Sequence, residues 1–92
     1  MIKLIQIYKR QNRYYLKDIY INPSYIVYMS ESYEEKRNLV EGAINLQIDK
    51  NASFTKIKIN ENSNISEIVV LGEPELIELK LFKISGKTLL RG

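Results

Sequence analysis

The sequence predicts an all-β fold, a small antiparallel barrel or sandwich of six to seven short strands. Three observations carry that expectation. Apolar and polar residues alternate with period two in Ile44-Asn45-Leu46-Gln47-Ile48-Asp49 and in Lys56-Ile57-Lys58-Ile59-Asn60, as in strands with one buried face. Residues 2–9 and 14–21 are rich in Ile, Leu and Tyr, which suit a pleated, half-buried surface. Turn-forming clusters separate the apolar runs. Closure into a barrel is the preferred arrangement, because it removes edges that apolar strands leave exposed.

The first element is a hairpin. Arg10-Gln11-Asn12-Arg13 separates its two runs, and a tight loop centred on Gln11-Asn12 sets Tyr8 opposite Tyr15, Leu4 opposite Ile19 and Ile2 opposite Ile21. Cross-strand pairs of this kind contribute about 0.2–1 kcal/mol each. The same register opposes Arg10 and Arg13 at the tip, a mildly unfavourable pair unless an anion visits. Asn22-Pro23-Ser24 breaks the chain, and Tyr25-Ile26-Val27-Tyr28-Met29 resumes as a third strand. Residues 30–38 read as a polar loop carrying Tyr33, and Gly42 as a bulge or bend. A central hairpin over roughly 43–60 follows, turning through Asp49-Lys50-Asn51-Ala52-Ser53, with Ile44, Leu46, Ile48, Ile57 and Ile59 on its buried face.

Ile65 to Leu71 is nearly continuous apolar sequence, ended by Gly72-Glu73-Pro74. For residues 75–84 two readings compete. Ile77, Leu81 and Ile84 fall at helical spacing, whereas the alternation Ile77-Glu78-Leu79-Lys80-Leu81 favours a strand, which is the expectation adopted. Apolar residues on both faces make these last two strands central, or packed against another subunit. Thr88-Leu89-Leu90 forms a short final edge strand.

Ninety-two residues make one domain. At 45% hydrophobic and 27% charged residues, the chain lies far from the composition of disorder. It has no histidine, cysteine or tryptophan. That removes disulfides, thiolate metal sites and most side chains that run chemistry near pH 7. No stretch approaches the ~20 apolar residues of a membrane span, and the start lacks the layout of a signal peptide. A cytoplasmic location, no membrane, no metal and no cofactor are therefore expected. The net charge of +3 is uneven: residues 1–17 carry five basic residues and no acid, residues 60–79 five acids and no base. Such polarity lets the basic edge of one copy meet the acidic face of another.

Candidate chemistry is sparse. Gly86-Lys87-Thr88 resembles the end of a phosphate loop, but position 81 holds Leu81 where that loop needs glycine, and the sequence given stops before a helix can follow. Asp18, opposite Ile5, reads as structure or edge protection rather than a general base. Glu31, Glu34 and Glu35 are loop acids without a metal loop's pattern. An enzyme is not expected.

The one pattern with functional content is aromatic and basic. All seven tyrosines fall between positions 8 and 33, interleaved with Lys9, Arg10, Arg13 and Lys17. Tyrosine and arginine anchor protein interfaces. They also stack on bases and fork onto phosphates, and tyrosine is a good strand former in its own right. The candidate contact surface is Tyr8, Arg10, Arg13, Tyr14, Tyr15, Lys17, Tyr25 and Tyr28. A protein partner or a second copy of the chain is the expected occupant, and a nucleotide or nucleic acid the alternative.

Met1-Ile2-Lys3-Leu4, the hairpin and Tyr20-Ile21-Asn22-Pro23-Ser24-Tyr25-Ile26 with an alternating strand after it resemble the small FlbD-like proteins over about residues 1–60. Short chains of similar Ile, Lys, Asn and Tyr bias are common among phage-encoded accessory proteins. The longer first hairpin, the polar 30–38 segment and the strand-like end depart from the pattern. The resemblance implies a small β-rich accessory protein and brings no catalytic or binding residues with it. The expectation is thus a non-enzymatic, homo-oligomeric interaction module of phage type.

Overall fold

A computed structural model describes residues 1–85. The chain runs β1 (Ile2–Arg10), β2 (Arg13–Ile21), a 3-10 turn (Pro23–Tyr25), β3 (Ile26–Glu31), α1 (Tyr33–Val40), β4 (Phe54–Glu61), β5 (Asn64–Leu71) and α2 (Pro74–Ser85). The five strands form a single antiparallel sheet in the order β2-β1-β5-β4-β3. The fold is therefore mostly β, as the alternation predicts, but among the described residues the sheet is open and holds five strands, not six or seven. Two short helices pack on its faces, and the edges that a barrel was expected to close stay open there.

The first hairpin keeps the expected register, with Ile2 opposite Ile21, Leu4 opposite Ile19, Tyr8 opposite Tyr15 and Arg10 opposite Arg13. Gln11 and Asn12 have φ of 51° and 65°, the two positive values of a type I′ turn, whose twist matches the strands it joins. Asn62 and Ser63 repeat that turn, at 52° and 69°, between β4 and β5.

Period two divides the sheet into two faces. One carries Ile2, Leu4, Ile21, Met29, Ile57 and Val70, sealed by Ile77 and Leu81 of α2. The other carries Ile7, Tyr14 and Phe54, covered by Leu39 of α1 and by Ile44, Leu46 and Ile48 of the segment that follows it. Both covers are partial. Tyr8, Arg10 and the exposed Tyr15 and Lys17 extend past α2 on the first face, while Ile5, Leu16 and Tyr20 remain exposed on the second. The Cα radius of gyration is 13.2 Å and the extents are 37 × 26 × 22 Å, against the roughly 12 Å of a compact chain of this length.

Four expectations are corrected. The 43–60 hairpin does not form: β4 pairs with β5 and β3 instead, and residues 43–53 cross the sheet as irregular chain. Their alternation is real, since Ile44, Leu46 and Ile48 all pack on the sheet, but it records burial against the sheet's face, not a ladder. The 30–38 segment holds the end of β3 and most of α1, whose first turn carries Glu34 and Glu35 at the positive end of the helix dipole, with Ser32 and Glu35 bonded side chain to side chain. Gly42 ends that helix: its N–H donates to Leu39 O at 3.1 Å and that of Ala43 to Asn38 O at 2.8 Å, a Schellman cap that needs the positive φ of 79° at Gly42. Residues 75–84 lie in α2, which starts with Pro74 in its first turn and buries Ile77 and Leu81 one turn apart. The expected strand at 88–90 and Gly86-Lys87-Thr88 lie outside the described residues.

Candidate functional site

The two-residue turn places Tyr8, Arg10, Arg13, Tyr15 and Lys17 on one face of the hairpin by strand parity. Tyr8 and Tyr15 stack at 5.6 Å between ring centroids, 25° apart in plane. Lys17 Nζ lies 5.0 Å from the Tyr8 centroid and Arg10 Cζ 5.9 Å from it, within range of a cation–π attraction of about 0.5–1 kcal/mol at an exposed site. Arg10 and Arg13 stand opposed at the tip. Among the described residues the one salt bridge is Lys3 to Asp18, at 3.5 Å and well exposed. Arg10, Arg13 and Lys17 on this face therefore have no described carboxylate within salt-bridge distance.

The other three candidates are placed elsewhere. Tyr14 points to the opposite face and is 8% exposed. Its hydroxyl accepts from Asn38 Nδ2 at 3.1 Å and Lys9 Nζ lies 5.5 Å over its ring. Tyr28 lies three strands from the hairpin, because β3 pairs with β4 and not with β1 or β2. On the Tyr14 side of the sheet its hydroxyl donates to Glu67 Oε2 at 3.3 Å, and Lys58 Nζ stands 5.8 Å from its ring. Tyr25 sits in the 3-10 turn ahead of β3. The expected surface thus contracts to five residues of one hairpin face.

A second feature escaped the sequence reading. Asn45 lies against the outer edge of β2: Tyr14 N–H donates to its Oδ1 at 2.9 Å and its Nδ2 donates to Tyr14 O at 3.5 Å. The side-chain amide thereby pairs with one residue of the edge as a neighbouring strand would. No signal within β2 marks this contact, since the partners are 31 residues apart.

A cleft of about 340 Å³ opens where β1 and β5 diverge, lined by Lys9, Tyr14, Glu34, Glu35, Asn38 and Glu67 among others. The two strands share only the pairs Gln6–Val70 and Ile7–Val69. Among the described residues no three His, Cys, Asp or Glu side chains converge to hold a metal ion, and no helix is long and apolar enough to cross a membrane. Comparison with protein-family models, with curated proteins and with solved structures gives no match to this chain.

Proposed function

We propose that the protein is a non-enzymatic interaction module that docks an acidic protein surface on the exposed hairpin face of Tyr8, Arg10, Arg13, Tyr15 and Lys17. The single observation carrying this reading is the stacked tyrosine pair ringed by cations that have no acid beside them. Two rigid rings offer apolar area at little entropic cost, and arginine forks donate paired N–H bonds to carboxylates. The resemblance of residues 1–60 to FlbD-like proteins supports a small accessory protein, and the Ile, Lys, Asn and Tyr bias supports a phage-type setting.

Titration with a Glu-rich, aromatic-containing peptide tests the proposal, with a single-stranded oligonucleotide of equal charge run beside it. The peptide should bind, and Arg10→Glu with Arg13→Glu should weaken it at least about tenfold, each lost charge contact being worth roughly 1 kcal/mol or more. Both arginines are exposed at the turn, so the variant keeps its fold. Binding of the oligonucleotide alone, falling steeply with salt, would reassign the face to nucleic acid. Silence from both ligands at about 1 mM, where even weak contacts register, ends the proposal.

A further inference from the structure

The outer edge of β2 carries a surface distinct from the tyrosine face. In a hairpin closed by a two-residue turn, the pair flanking the turn is hydrogen-bonded, and such pairs alternate along the ladder. Arg10–Arg13, Tyr8–Tyr15, Gln6–Lys17 and Leu4–Ile19 therefore use the inner edge of β2. The N–H and C=O groups of Tyr14, Leu16, Asp18 and Tyr20 point outward. The Asn45 contacts confirm this polarity at Tyr14, where both outward groups are taken. Beyond that plug, among the described residues, no strand pairs with β2, which stands last in the sheet. The unpaired edge runs from Leu16 to Ile21, where Asn22 and Pro23 turn the chain away. Flat, unpaired and apolar-flanked edges template pairing with another strand.

We infer that this edge pairs with a second copy of the chain, antiparallel across a twofold axis at Ile19, to give one continuous ten-stranded sheet. The length of free edge selects the register, because Ile19 is the midpoint of the stretch between Leu16 and Asn22. Residues then pair so that their numbers sum to 38. Ile19 meets Ile19 on the face of the α2 core, against which it already packs. Lys17 meets Ile21, and Asp18 meets Tyr20 on the other face. Shifting the axis to 17 or 18 instead opposes two lysines or two aspartates, which is unfavourable. Tyr20, 65% exposed in one copy, gains a neighbour at Asp18. A twofold perpendicular to the sheet keeps both Tyr8–Tyr15 patches on one side of the dimer, so two docking faces act together.

The contact is small, so its affinity is weak and concentration decides it. Light scattering from about 20 μM to about 1 mM should show the mass rising toward twice that of the monomer, across the range where such contacts populate. The backbone amides of Asp18 and Tyr20 should exchange more slowly as concentration rises. Tyr20→Glu places a carboxylate beside Asp18 of the other copy in two symmetry-related pairs, and should weaken association about tenfold. Tyr20→Lys supplies the opposite charge and should preserve it or tighten it. Tyr20 lies outside both cores, so neither change threatens the fold. Arg10→Glu with Arg13→Glu should leave the dimer intact, which separates this inference from the docking proposal. A monomer at about 1 mM overturns it, as does association that Tyr20→Glu leaves untouched while Leu79→Lys on α2 removes it.

Discussion

Tyr14 and Tyr15 are adjacent in sequence and opposite in fate. Tyr15 is 39% exposed and stacks on Tyr8, whereas Tyr14 is 8% exposed and belongs to the core beneath α1. Period two alone puts them on different faces, so the division was legible once the Gln11-Asn12 turn was placed. Which face would be covered was not legible, because the cover is Leu39, Ile44 and Asn45, brought back across more than twenty residues. Asn45 shows the same limit from the other side: as a polar residue between Ile44 and Leu46 it reads as solvent-facing, yet its amide holds both outward groups of Tyr14. Replacing Asn45 by Ala removes two part-buried hydrogen bonds and should cost about 1–2 kcal/mol, measured as a lower urea midpoint at unchanged m. Tyr14→Phe should cost less, about 0.5–1.5 kcal/mol, because only the Asn38 contact is lost while the ring stays packed.

Element boundaries followed local chemistry wherever that chemistry was read. The first hairpin was legible to the residue, since a two-residue turn admits one register. α1 was missed, although Ser32 and Glu35 stand at capping-box spacing and Gly42 follows at the far end. α2 was missed because Leu79 completes an alternation with Ile77 and Leu81, yet as a helix it leaves Leu79 50% exposed. Pro74 in the first turn, Glu75 beside it and Lys83 in the last turn are the helix signals that outweigh that alternation. The two type I′ turns offer a test at this scale. Asparagine tolerates positive φ, as at Asn12 and Asn62, but Ser63 holds φ 69° without that tolerance. Ser63→Gly completes the favoured Asn-Gly pair and should stabilise the protein by about 0.5–1 kcal/mol, read as a rise in thermal midpoint. The opposite sign is expected of Gly42→Ala: the added Cβ meets open space, so the cost, about 1 kcal/mol, is that of the positive φ alone.

At the scale of the whole molecule the sheet is shared by two cores, and β4, like β1, serves both. Phe54 and Ile57 are both fully buried, Phe54 among the residues under α1 and Ile57 among those under α2. Thr55, also fully buried, donates from Oγ1 to Gly72 O at 2.7 Å and ties β4 to the start of the α2 connection. A barrel was expected because closure removes edges that apolar strands leave exposed. Among the described residues helices cover the faces instead and β2 stays at an edge, something no alternation within a strand can report. With β4 in both layers, neither core can dissolve without the other. Leu81→Ala should then cost about 2–5 kcal/mol through the cavity left under α2, on the order of 10–30 °C in Tm for a domain this small. The loss should be global. Far-UV circular dichroism, weighted toward the helices, and the NMR ring signal of Tyr14 on the opposite face should shift together to one lower midpoint, as two-state behaviour demands. If α2 melted first while the Tyr14 signal held its original midpoint, the two faces would be separate units and β4 would not couple them.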